Sequence, residues 1–281
     1  MVDDTVDWIQ RFLRRKKNRN TRASYEHVLT KLEGWCRSER LGLSDVTSEL
    51  AEGWLDKLTY VCGSTRRLFY TVLGCFFRFL ADCGELQRNP MIAVPPPDIE
   101  PPQRRHLEAK EIEELLRSAR REGPFTDVIV NTLFYSGIRA SEAANLALDD
   151  VTRDKQLIRI HVRRGKGGKS RTILVNEKLS KMLFIWCRRM KARGHNHVFP
   201  SPKNGTVAIG RSTVWAHVKR AAKGASIPSV SPHWLRHAFA SRSLDLGAPL
   251  QVVRQDLGHS SLQTTSRYIS AQSGSSSSSF L

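Results

Sequence analysis

Cysteine is scarce and unpaired in this chain of 281 residues. Cys36, Cys62, Cys75, Cys83 and Cys187 make an odd set with no Cys-x-x-Cys spacing, and most stand among apolar residues. They read as reduced core cysteines and argue for a reducing compartment. Long apolar runs are missing too: none approaches the ~20 residues that span a bilayer. The opening Met1-Val2-Asp3-Asp4 is acidic and lacks the features of a signal peptide, so a cytoplasmic protein is the simplest expectation. No internal repeat is visible. Acidic residues are the minority, with 27 Asp and Glu against 45 Lys and Arg, a formal net charge of +18. Such an excess implies a polyanionic partner, most commonly nucleic acid, held less tightly as salt rises. Charge alone does not separate that reading from a merely basic soluble protein.

The chain is long enough for two modest domains. Residues 1–93 read as a helical domain. Tyr25, Val28, Leu29, Leu32, Trp35 and Cys36 recur at helical spacing, as do Leu68, Val72, Leu73, Phe76, Phe77 and Leu80. Ser64 or Thr65 is a candidate cap for the second of these helices. Five prolines between Val94 and Pro102 predict an extended linker over 94–103. Residues 104–271 then mix helix and strand. Helices are expected at 109–121, 125–136 (ending at Gly137), 140–147, 176–193, 211–224, 233–246, 249–257 and 261–269. Strands are expected at 157–162 and 172–175, joined by a basic glycine-rich turn, Arg163-Arg164-Gly165-Lys166-Gly167-Gly168-Lys169. Residues 272–281 form a serine-rich tail ending in Phe280-Leu281. The fold class is therefore mainly α with a small β hairpin or sheet in the second domain.

Four motifs of that domain carry chemistry. They are Ser136-Gly137-Ile138-Arg139-Ala140-Ser141-Glu142, the turn Gly165-Lys166-Gly167, Pro232-His233-Trp234-Leu235-Arg236-His237, and Leu257-Gly258-His259 with Tyr268 nine residues on. In these motifs the chain resembles the tyrosine recombinases, the phage integrase and Xer-like family. That family orders an Arg, a hairpin Lys, His-x-x-Arg, a second His or Trp, and a nucleophilic Tyr. The resemblance covers roughly residues 104–270. It implies a helical core-binding domain of SAM-like type followed by an α+β catalytic domain. It also implies cleavage and rejoining of double-stranded DNA without metal or nucleotide.

The resemblance assigns Arg139, Lys166, His233, Arg236, His259 and Tyr268 to catalysis. Two guanidiniums suit the extra charge on the non-bridging oxygens of a phosphodiester in flight, and both stay protonated at any working pH. Glu142, three residues after Arg139, either holds that guanidinium or simply favours the first turn of its helix. Tyr268 ionises normally near pH ~10 and needs cationic help to attack phosphorus. His233 can take its proton or bind a phosphate oxygen, and His259 would be a second phosphate donor. Gly258 before it suggests a tight backbone approach to DNA. Lys166 could protonate the departing 5′ oxygen. His237 is expected on the packing face. His233 and His237 are spaced to share a metal, but no Glu follows His233 and no third ligand is evident, so no metal is expected.

The remaining cations are expected on the DNA backbone: Arg22, Arg66 and Arg67 in the first domain, Arg163, Arg164, Lys169 and Arg171 around the hairpin, and Arg211 and Lys219 on the 211–224 helix. Trp215 of that helix belongs either to DNA or to the core. The resemblance further implies two domains closing on DNA as a clamp, and a homotetramer working through a Holliday junction. The tail is either a strap passed to the next subunit or a frayed terminus. Two other functions stay open at this point: a type IB topoisomerase with the same chemistry, and a DNA-binding regulator without catalysis, which the complete set of six argues against.

Overall fold

Apolar residues spaced three and four apart force helices to share their faces, and the first 98 residues do this in one bundle. A computed structural model describes residues 2–58, 61–98, 107–163, 170–202 and 205–258. The chain divides into two compact units, Met1–Gln103 and Arg104–Leu281.

The first unit holds α1 (Val2–Arg14), α2 (Arg19–Ser38), α3 (Ser48–Lys57) and α4 (Gly63–Asp82). Val28, Leu29, Leu32 and Cys36 of α2 are buried with Phe69, Val72, Leu73, Phe76, Phe77, Phe79 and Leu80 of α4. Phe12 of α1 meets Phe76 edge-on at 5.3 Å, and Trp35 stacks on Trp54 at 5.4 Å. Helix α2 is capped by the Asn18 side chain, which accepts from the amides of Asn20 and Thr21. The expected hydroxyl cap of α4 is not used. Cys62 is the N-cap residue, and Ser64 and Thr65 lie inside the first turn with their hydroxyls 3.3 and 3.1 Å from its sulfur. All five cysteines are free, but only Cys36 is fully buried, and Cys62 and Cys83 are exposed. The start of the proline-rich segment packs on this unit. Val94 is 4% exposed, its carbonyl accepts from Tyr70 Oη at 3.1 Å, and the Pro97 carbonyl accepts from Arg67 at 3.2 Å.

The second unit runs α5 (Ala109–Arg121), α6 (Pro124–Ser136), α7 (Ala140–Ala144), β1 (Val151–Asp154), β2 (Leu157–Val162), β3 (Arg171–Leu174), α8 (Glu177–Ala192), α9 (Arg211–Gly224), α10 (Pro232–Asp245) and α11 (Leu250–Leu257). The strands form one antiparallel sheet ordered β1-β2-β3, with Val151 opposite Ile160 and Val162 opposite Arg171. Strand β1 escapes the sequence pattern because Val-Thr-Arg-Asp has no apolar alternation; it forms by pairing with β2. Helix α7 stops at Ala144, short of the expected 147, and Leu148–Asp150 is a 3₁₀ turn.

Helix α6 is buried on every side, so it is the central post of this unit. Its polar side chains are satisfied inside: Thr132 donates to the Val128 carbonyl and Ser136 to that of Thr132. Gly137 ends it in the left-handed region, φ 61°, with its amide on Leu133 O at 3.1 Å. A Cβ at Gly137 would lie 2.4 Å from the Phe239 ring of α10. Gly137→Ala is therefore expected to destabilise the protein by about 2–4 kcal/mol, from backbone strain and overlap together. A denaturant midpoint measures it, and an unchanged midpoint would refute the argument.

Candidate active site

Pro232 opens α10 with a fixed φ, placing His233 in the first turn and Arg236 one turn deeper. His233 is exposed, whereas Arg236 is only 3% exposed. A buried guanidinium has to be satisfied by acceptors. Arg236 Nη1 donates to Gly137 O at 2.7 Å and Nη2 to Leu257 O at 2.5 Å. These carbonyls lie at the C-terminal ends of α6 and α11, where the helix dipoles are negative. One arginine thus gathers the turn leading to Arg139, the start of α10, and the turn leading to His259. The His233 ring meets His237 at 4.4 Å in a T-shaped contact, with His237 half-buried.

Glu142 is the hub beside it. Its side chain is 4% exposed and accepts from the Arg139 amide and from Arg139 Nη1, both at 2.8 Å. It also accepts from Arg171 Nη1 at 3.0 Å and Nη2 at 2.7 Å. Of the two sequence alternatives, Glu142 both caps its helix and grips the Arg139 guanidinium. Burial pushes its carboxyl up, but hydrogen bonds from Arg171 and from the Arg139 backbone outweigh that and hold it at about 2. Glu142 therefore stays a carboxylate throughout the working pH range.

Arg171 departs from expectation. Its side chain is buried rather than exposed, at 7%, and Nε donates to Asp256 O at 2.6 Å while both Nη hold Glu142. The strand's own parity carried the signal, since Arg171 shares the inward face of β3 with the buried Ile173. An arginine at a core-facing position needs a carboxylate partner. Gly258 has φ 64°, and its nearest crowding neighbour is Arg171, whose side-chain atoms lie 3.1–3.3 Å from where a Cβ would be. The tight approach that the sequence suggested for Gly258 is thus met within the protein. Asp150, also missed, is 5% exposed; it accepts from the Ala147 amide at 3.0 Å and pairs with Arg163.

The other expected DNA contacts lie on the surface. Arg22 donates to Lys16 O at 3.2 Å, Arg66 pairs with Asp56 at 2.8 Å, and Lys219 donates to Pro228 O at 2.7 Å. Arg67 donates to the Pro97 carbonyl, as described above. Arg211 is exposed at the start of α9, and Trp215 is 39% exposed on the same helix. Of these contacts only Arg66–Asp56 is an ion pair, its arginine half-buried and its carboxylate exposed, and such a pair adds little stability. Arg164, Lys166, Lys169, His259 and Tyr268 lie outside the described residues, as does the expected 261–269 helix.

Residues 105–274 match the phage integrase family. The tyrosine recombinase XerD of Pseudomonas putida is 30% identical over 286 residues, 95% of this chain and 91% of that relative. The same fold occurs in the XerH site-specific recombinase bound to a palindromic difH substrate after cleavage, with a TM-score of 0.78 and 19% identity over 95% of this chain and 92% of that one. It also occurs in a lambda integrase tetramer bound to a Holliday junction, with a TM-score of 0.73 and 18% identity over 93% and 76%. The class is that of a DNA strand transferase acting in site-specific recombination. The chain belongs to the phage integrase family, and its relatives are the Xer tyrosine recombinases.

Proposed function

We propose that this chain cuts DNA with Tyr268 and reseals it to another strand, using Arg139, Arg236, His233, His259 and Lys166. The observation that carries this reading is the convergence made by Arg236, which holds the helix ends beside Arg139 and His259 while sharing a helix with His233. Arg139 and Arg236 stabilise the charge on the non-bridging oxygens as it grows. Tyr268 Oη attacks phosphorus, His233 receives the phenol proton, and His259 donates to a phosphate oxygen. Lys166 gives a proton to the leaving 5′ oxygen. The 3′-phosphotyrosine that results keeps the energy of the broken bond, so a free 5′ hydroxyl can reverse the step with no ATP and no metal. The cations Arg22, Arg66, Arg67, Arg163, Arg164, Lys169, Arg211 and Lys219 grip the DNA backbone.

The working form is a homotetramer on two paired sites, in the cytoplasm on the nucleoid, and the chain serves a mobile element or chromosome resolution. The neighbouring integrase named as a tetramer on a Holliday junction supports that assembly. A hollow of about 700 Å³, lined in part by Ile112, Leu116, Phe134 and Phe239 and elsewhere by charged side chains such as Glu113, Arg117, Asp127 and Arg242, is the seat offered to the Phe280-Leu281 end of a neighbour's tail. Recombination between two mapped sites is expected to run at full rate in EDTA without nucleotide, and to fail when 273–281 are deleted although single-site cleavage survives. Dependence on a divalent ion would refute the metal-free chemistry. Unchanged recombination by the truncated chain would end the tail exchange. Relaxation of plasmids lacking such sites, with no recombinant product, would make the chain a topoisomerase instead.

A further inference from the structure

Arg171 belongs to no group that the reaction above employs, yet it touches the supports of three of them. We propose that Arg171 is a positioning residue of strand cleavage: by gripping the Glu142 carboxylate and the Asp256 carbonyl at once, it fixes Arg139, the turn into His259 and the base of the Lys166 hairpin relative to one another. The proposal rests on the assignment of those three groups made above.

Three features carry it. First, the guanidinium uses Nε on one element and both Nη on another, bonding Asp256 O of α11 at 2.6 Å and Glu142 of α7 at 3.0 and 2.7 Å. A planar fork satisfies acceptors from two directions; an ammonium has no such geometry. Secondly, the same Glu142 oxygens take the amide and guanidinium of Arg139, so any shift of Arg171 is passed to Arg139 through one carboxylate. Thirdly, successive carbonyls at the end of α11 are held by different arginines: Asp256 O by Arg171 from β3, and Leu257 O by Arg236 from α10. Gly258 then packs on the Arg171 stem. The strand that starts at Arg171 is the returning arm of the hairpin, five residues after Lys166. Both partners are nearly solvent-free, at 7% and 4% exposure, so the joint is stiff rather than a surface pairing.

The test uses full-length Arg171→Met, Arg171→Lys and Glu142→Gln, with Met190→Ala as a control for lost stability alone, Met190 being a buried residue of α8. Binding to a random-sequence duplex is measured against salt. Single-turnover cleavage is measured at saturating protein on a nicked duplex carrying the site that the wild-type chain captures. Arg171→Met is expected to keep the wild-type salt slope and lose about 100-fold or more in cleavage, with Arg171→Lys intermediate. Combined with Glu142→Gln it should lose no more than the larger single loss, because both cut the same joint. A salt slope smaller by about one, with saturated cleavage intact, would make Arg171 a phosphate contact and overturn the proposal. So would a cleavage loss no greater than that of Met190→Ala at matched stability. Arg171→Lys, which keeps the charge, answers the question should Arg171→Met not fold. Arg236→Lys run in parallel separates the two readings. If it cleaves normally, the site itself is misassigned; if it is dead while the Arg171 variants are active, only this proposal falls.

Discussion

Tyr268→Phe is expected to abolish covalent capture of DNA on a nicked suicide substrate while leaving duplex affinity within about twofold, because a phenyl ring keeps the packing and loses only the attacking oxygen. No other side chain in the proposed set can form the ester. His233 and His259 are assigned proton and hydrogen-bond roles, and the arginines cannot deprotonate to attack. The readout is a protein–DNA adduct that survives denaturation. An adduct formed by the phenylalanine variant would place the nucleophile elsewhere, however well the rest of the site behaved.

The second large effect is expected at Arg236. Arg236→Ala should slow single-turnover cleavage by about 10³-fold, since a fixed donor to the developing oxyanion charge is lost. It should also lower stability by about 2–5 kcal/mol, because the carbonyls of Gly137 and Leu257 lose a buried partner. Those two carbonyls end α6 and α11, so thermal melting should show the loss without DNA present. Binding to duplex should fall far less than cleavage. Equal losses in both would reduce Arg236 to an anchor, and a stable variant would contradict its place as the tie between three helices.

Much of this arrangement was legible from the residues. The helices α5, α6, α8 and α9 follow from apolar spacing, and Gly137 marks the end of α6 because few other residues adopt its backbone. Glu142 was visible as a partner for Arg139 because spacing of three sets two side chains on one flank of a helix start. What escaped depended on partners that the local pattern does not name. Strand β1 has no pattern of its own and exists by virtue of β2. Cys62 displaced Ser64 and Thr65 as the cap of α4 because the chain enters that helix two residues earlier than its hydroxyls suggested. Arg171 was grouped with the hairpin cations by proximity in sequence, although its parity with Ile173 turned it inward toward a carboxylate 29 positions away.

The inward arginines also change how the charge of +18 bears on electrostatics. Arg236 spends donors on peptide carbonyls and Arg171 on a carboxylate and a carbonyl, so their fields are partly cancelled before reaching solvent. A long-range attraction computed from composition would overrate the pull on a distant polyanion. These buried charges act instead at short range on the groups they touch, where little water screens them. On the proposed mechanism, encounter draws on the exposed cations and cleavage on the buried ones, so ionic strength should tune the first while leaving the second nearly untouched.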